Sequence, residues 1–140
     1  MSMSSLPVEH LFTVRFLTRT DASPGHLAGN RIAVSVTGGQ FTGPTLRGTV
    51  TAGSDWAVRR PNGVVSVDVR AQLRTDDGVT VFMTYFGLST PGTSGNQRVL
   101  AAPRFDAPCD SQYAWLNDEV CVALGQVHDG SVEYEVYSVR

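Results

Sequence analysis

Apolar and polar residues alternate in short runs along nearly the whole chain, and Gly, Pro, Asn or Asp interrupt the runs at short intervals. HLFTVRFLT sets Phe12, Val14 and Phe16 on one side, and NRIAVSVTG does the same with Ile32, Val34 and Val36. VVSVDVRAQLRT puts Val65, Val67, Val69, Ala71 and Leu73 on one face and Ser66, Asp68, Arg70, Gln72 and Arg74 on the other. VTVFMTYFGL, EVCVALGQV and SVEYEVYSV continue the pattern, with Tyr85 on the face of Val81 and Met83. No segment keeps a 3.6-residue apolar period for three turns. The pattern predicts an all-β chain of eight to ten short antiparallel strands.

Pro61-Asn62-Gly63, Asp76-Asp77-Gly78 and Asp129-Gly130 each separate two alternating runs, so three hairpins are expected there. The glycine-rich GGQFTGPTLRGTVTAGSDW predicts short, bent strands around LRGTV with kinks or bulges at the glycines. TDASPGHLAGN and STPGTSGNQR read as loops, and YAWLN is the one place where a short helical turn or a strand entry fits. Up-and-down order with glycine kinks favours a single small antiparallel β-barrel over a two-sheet sandwich, because closure removes exposed edges. One domain over residues 1–140 is expected, with residues 1–8 as a disordered tail.

Composition narrows the partners. Hydrophobic residues make up 41% and charged residues 17%, with a net charge of -2, and no basic cluster interleaves with aromatics. Nucleic acid is therefore not an expected partner. The N-terminus lacks a basic segment followed by an apolar one, and no apolar run reaches the ~18 residues of a membrane span, so a cytoplasmic protein is expected. Cys109 and Cys121 share no CxxC-type spacing, and His10, His26 and His128 stand singly, which gives a zinc site little support. A buried, reduced Cys121 and a loop Cys109 are expected. No nucleophile-elbow, zinc-protease, phosphate-loop or dinucleotide motif occurs, and no cofactor is expected.

The ordered segments LRGTVTAGSDW, RPNGVVSVDVRAQLRTDDG, APRFD, YAWLND and a closing hairpin that ends in YSVR resemble the domain-of-unknown-function 3237 family from about His10 to Val139. The resemblance implies a lipocalin-like β-barrel, soluble, often oligomeric and without a known cofactor. The family's recurrent pattern falls here on Gly48, Asp55, Trp56, Gly63, Asp68, Arg70, Asp77, Gly78, Pro103, Phe105, Tyr113, Trp115 and Leu116. The chain departs from it at Leu100 and Ala101, where relatives carry an aromatic residue and an Arg.

Two faces of one strand then decide the chemistry. If the apolar face of VVSVDVRAQLRT fills the barrel, Asp68 and Arg70 are surface charges; if the polar face looks inward, they are a binding or catalytic pair. Asp55 could be a carboxylate at the barrel mouth, raised in pKa by the adjacent Trp56, or the acceptor of an Asx turn with Trp56 as a core plug. Tyr113 could supply a hydroxyl to an oxyanion, or cap the barrel end together with Trp115. Arg104 could hold an anion at the rim or be solvated; Phe105 and Tyr85 read as wall.

The candidate catalytic set is Asp55, Asp68, Arg70 and Tyr113, with Trp56, Tyr85, Arg104, Phe105 and Trp115 as candidate substrate contacts. Such a set suits a cofactor-independent isomerase, cyclase or lyase acting on a small aromatic or carbonyl-bearing metabolite inside the barrel. A non-catalytic carrier or sensor would need only the aromatics, and an oligomeric interaction protein would need only a packed barrel. The partners expected are a small-molecule ligand and further copies of the chain.

Overall fold

The structure is a computed structural model that describes residues 4–24, 30–91 and 97–140. His26, parts of both expected loops and the first three residues of the expected tail lie outside the described residues. Nine strands are present among them: β1 (Val8–Ala22), β2 (Arg31–Thr42), β3 (Arg47–Arg59), β4 (Val65–Thr75), β5 (Thr80–Pro91), β6 (Gln97–Ala101), β7 (Arg104–Asp106), β8 (Cys121–His128) and β9 (Ser131–Val139). The backbone N–H of Arg140 donates to the Pro7 carbonyl and Val8 pairs with Val139, so the last two residues of the expected tail are joined to the sheet.

β1 to β6 pair antiparallel in chain order, β6 pairs with β8, β8 with β9, and β9 returns to β1, so eight strands close a ring. The short β7 pairs with Phe82–Thr84 of β5, end to end with β6, which pairs with Gly87–Pro91. The fold is thus an up-and-down β-barrel. All three expected hairpins form, and Gly63, Gly78 and Gly130 take the positive φ that such turns need.

The strands around LRGTV are bent, as expected, but they are not short. β2 and β3 run for 12 and 13 residues, and curvature is absorbed by single unpaired residues. The register skips Thr37 between Gly38 and Val36 on β2, and Thr51 between Val50 and Ala52 on β3. A bulge of this kind bends the strand and switches which residues face inward. Just past the first bulge β1 comes so close that a Cβ on Gly39 would lie 1.9 Å from the Arg15 carbonyl oxygen.

The two bulges divide the barrel. Below them Phe12, Phe41 and Phe105 meet edge to face at 5.7 to 5.9 Å, surrounded by the fully buried Leu73, Val81, Met83 and Leu116. YAWLN provides a 3₁₀ turn, Ala114–Asp118, whose Leu116 plugs this end. The Asn117 side chain fastens the turn, accepting from the Ala107 N–H at 2.7 Å and donating to its carbonyl at 2.9 Å. Above the bulges the interior is hollow. No helix among the described residues is long and apolar enough to cross a membrane.

Candidate functional site

The hollow half forms a cavity of about 230 Å³ walled by Val34, Val36, Val65, Val67, Val69 and Val99. Phe16, Tyr85 and Tyr134 make its floor. Tyr85 stacks on Phe16 at 6.3 Å and meets Tyr134 edge to face at 5.1 Å, and all three rings are buried. Thr20, Arg59 and Gln97 stand at the more exposed mouth.

Asp55 reaches this cavity because of the Thr51 bulge. Val50 faces inward, so uninterrupted alternation would send Ser54 and Trp56 inside; the extra residue instead turns Gly53, Asp55 and Ala57 inward and Trp56 outward. Its cross-strand neighbours are Val34 on β2 and Val69 on β4, and Tyr85 pairs in turn with Val69. One rung of the barrel therefore carries a carboxyl group and a phenol, with valines on either side of the carboxyl. The Asp68 backbone N–H donates to Asp55 Oδ1 at 2.9 Å, where the β3–β4 register leaves Trp56 and Ala57 unpaired. Burial pushes the Asp55 carboxyl up to about 6, and the Asp68 N–H opposes part of that rise.

Burial, the neighbouring phenol and the charge of Asp55 hold Tyr85 well above the ordinary tyrosine range. Burial also raises Tyr134, with Asp55 adding to the effect. The floor thus places a carboxyl that changes protonation near neutrality beside two phenols that stay protonated. Such a set can take a proton from a carbon or an oxygen and donate hydrogen bonds to an oxygen that gains negative charge.

Of the residues predicted from sequence, Asp55 and Tyr85 meet in the cavity and the others do not. Asp68 and Arg70 lie on the outer face of β4, their side chains 49% and 68% exposed and 3.6 Å apart, because the valine face fills the barrel. Trp56 is 54% exposed beneath the Arg31 guanidinium at 5.8 Å, so it cannot desolvate Asp55; adjacent strand residues face opposite ways. Phe105 belongs to the packed end, Arg104 is exposed on β7, and Trp115 is half-buried beside a groove formed with Pro44 and Arg140.

Tyr113 also sits at the packed end. Its hydroxyl donates to Asp77 Oδ1 at 2.7 Å, Thr75 donates to the same oxygen, and Gln112 donates to Oδ2. Those hydrogen bonds hold the Asp77 carboxyl at about 2 and tie the β4–β5 hairpin to the segment before the 3₁₀ turn. The role of this cluster is architectural.

Tyr134, Ser89 and Arg59 complete the cavity and were not singled out from the sequence. The signal existed for the first two, since Tyr134 shares a face with Val132 and Val136, and Ser89 shares one with Tyr85. Arg59 closes a strand just before a turn, where a charge reads as solvated. Cys121 is buried and Cys109 exposed, both as free thiols.

A family model described as "Protein of unknown function (DUF3237)" matches residues 6–139. The chain is 24% identical over 150 residues to UPF0311 protein RPA1785 of Rhodopseudomonas palustris, covering 96% of this chain and 97% of that protein. The crystal structure of that conserved protein of unknown function aligns at a TM-score of 0.89 and 23% identity, covering 99% of this chain and 100% of the other. A beta-barrel like protein from Acinetobacter baumannii AYE aligns at 0.86 with 23% identity, covering 99% of each chain. A protein from Penicillium herquei described as an enzyme aligns at 0.70 with 22% identity, covering 100% of this chain and 99% of the other. All three share the barrel fold.

Proposed function

We propose, from the premise that this chain belongs to the DUF3237 family, that it is a cofactor-independent acid/base enzyme acting on a small carbonyl-bearing or aromatic metabolite inside the barrel. The observation that carries this reading is Asp55, turned into an apolar cavity and raised to about 6 beside two protonated phenols. A purely structural carboxyl gains nothing from such a place, since burial without a charged partner costs stability. The description of the Penicillium herquei barrel as an enzyme supports catalysis on this fold.

In this reading the Asp55 carboxylate removes a proton from the carbon next to a substrate carbonyl. Tyr85 and Tyr134 donate to the carbonyl oxygen as it becomes an enolate. The Asp68 N–H keeps Asp55 aimed inward. Returning the proton to another carbon gives an isomer, expelling a group gives a lyase, and internal attack gives a cyclase. A positioned base contributes roughly 10²–10⁴-fold, and each phenol donor roughly 10²–10³-fold.

Deuterium exchange tests it. Phenylpyruvate or 2,4-pentanedione in D₂O should gain deuterium at the carbon beside the carbonyl faster with the protein present, with a rate that rises with pH through about 6. Asp55→Asn should remove the acceleration and Tyr85→Phe should cut it about 100-fold. Binding of either compound by wild type and Asp55→Asn alike, without exchange, would make the barrel a carrier.

We also propose that the chain associates with a second copy of itself. Leu88, Leu100 and Leu124 lie side by side on the outside of β5, β6 and β8, with Phe86 next to them, and all four are exposed. Together they form one exposed apolar patch on the order of a few hundred Å², the range in which the largest patch on a soluble protein is often functional.

A further inference from the structure

The cavity contains a second polar level that the acid/base chemistry does not use. Ser89 is 3% exposed and lines the cavity, and its Oγ is the one buried side-chain polar atom among the described residues without a hydrogen-bond partner. Orphaned buried hydroxyls are uncommon because each forfeits its solvation, so one that faces a cavity points to a guest that completes it. Ser89 stands four residues along β5 from Tyr85, and Arg59 stands four residues along β3 from Asp55. Arg59, Val65 and Ser89 pair across β3, β4 and β5, just as Asp55, Val69 and Tyr85 do on the deeper rung.

Two parallel rungs therefore face one cavity. The deep one carries the carboxyl and a phenol, and the outer one carries a guanidinium and an unpaired hydroxyl. Among the described residues Arg59 is the one cation lining the cavity and Asp55 the one anion, and Arg59 takes part in no ion pair. The backbones of the two rungs are about 13 Å apart at some 3.3 Å per residue, and the long Arg59 side chain can reach back across part of that span. Between the levels Gly87 adds no side chain from β5, and the wall there is lined by the small apolar Ala57 and Val67.

We infer that Arg59 and Ser89 form an anion subsite, so that the substrate is a small carboxylic acid of about one ring whose acid group binds at the mouth and whose reacting carbonyl lies on the Asp55–Tyr85–Tyr134 floor. A carboxylate accepts from both the guanidinium and the serine hydroxyl, which satisfies the orphaned oxygen. The same charges fix orientation, because an acid group turned inward would meet the Asp55 carboxylate and one turned outward meets Arg59. A cavity of about 230 Å³ lies just below the usual range of small-molecule sites and suits one ring with a short acidic arm. This inference rests on the acid/base reading for the role of the floor, but the acid preference at the mouth is measured separately.

The test is calorimetric binding of phenylpyruvate and of its methyl ester, which differ in the charge alone at nearly constant shape. Wild type should bind the acid about tenfold more tightly than the ester. Arg59→Gln should erase that difference, Arg59→Lys should restore much of it, and Ser89→Ala should weaken the acid several-fold while leaving the ester unchanged. Because Ser89→Ala removes an unsatisfied hydroxyl, the free protein should melt at the same temperature or slightly higher, which separates a binding role from a structural one.

Equal binding of acid and ester by wild type, undiminished acid binding by Arg59→Gln, or no binding of the acid at millimolar concentration would each overturn the subsite. Asp55→Asn distinguishes the two proposals. Tight acid binding by wild type and Asp55→Asn with no deuterium exchange by wild type would sink the enzyme reading and leave the subsite standing. Exchange without acid preference would do the reverse.

Discussion

At the scale of single residues, Asp55 links stability to function. Its carboxyl lies near 6 in the folded barrel against an ordinary 3.8, because burial disfavours the charged form more than the Asp68 N–H stabilises it. Between about 3.8 and 6 the folded state holds a proton that the unfolded chain has released, so the contribution of this residue to stability falls as pH rises through that window. A rise of about two units corresponds to about 3 kcal/mol, an upper bound for a carboxyl that touches an open cavity. Asp55→Asn keeps an oxygen for the Asp68 N–H and never ionises. Urea unfolding should find the variant more stable than wild type by up to that amount at pH 7 to 8, with the gain shrinking toward zero below about pH 4. A variant that is less stable at every pH would show that the carboxylate is held by attractive partners and not strained by burial. Asp77 behaves in the opposite sense, since hydrogen bonds lower it to about 2 and its contribution is present above 3.8 and lost as pH falls through 2.

At the scale of elements, the floor depends on how β8 and β9 meet. Tyr134 pairs with Gly125, and a Cβ built on Gly125 would come within 2.5 Å of the Tyr134 ring, so the glycine leaves the ring room to lie across β8. Gly125→Ala should push that ring toward Tyr85 and Phe16, costing about 1–3 kcal/mol as overpacking does. Near-ultraviolet circular dichroism should change with the aromatic packing while the far-ultraviolet spectrum stays that of a β-barrel. An unchanged aromatic spectrum and stability would mean the ring has a free alternative position. Elements were also what the sequence showed best. Alternation marked the inward rows of β1, β2 and β9, and Pro61-Asn62-Gly63, Asp76-Asp77-Gly78 and Asp129-Gly130 marked the turns, because each signal is local. The site was harder to read. Asp55 and Trp56 exchange faces through one unpaired threonine, and an alternation pattern carries no mark of where such a bulge falls. The inward face of β4 stayed open because a hollow barrel can be lined by either kind of face. Tyr113, Phe105 and Trp115 looked like partners of Asp55 by chemistry, yet the closure of the ring sends them to the packed end.

At the scale of the whole molecule, the inside and outside of the barrel are divided in an unusual way. The interior accounts for the aromatic floor and the packed end, but the outer wall of β5, β6 and β8 still shows Phe86, Leu88, Leu100 and Leu124 to solvent. The three leucines form one cross-strand row, and the surrounding rim carries both signs of charge, with Arg70 and Arg98 alongside Asp68. A surface of this kind can meet a copy of itself about a two-fold axis, where apolar row packs on apolar row and opposite charges face each other. Each partner contributes ~800 Å² to a standard interface, more than four apolar side chains expose, which leaves the rest to the polar rim. Association there covers the wall and leaves the cavity mouth open. Sedimentation should therefore give twice the 15.1 kDa chain mass at tens of micromolar, and Leu100→Arg should return the protein to the monomer. Because Leu100 faces outward, that variant should keep its melting temperature within the small range of surface changes and should still bind ligand. A wild type that stays monomeric would remove the second copy from this face, and binding of such a monomer to lipid vesicles would assign the leucine row to a membrane surface instead.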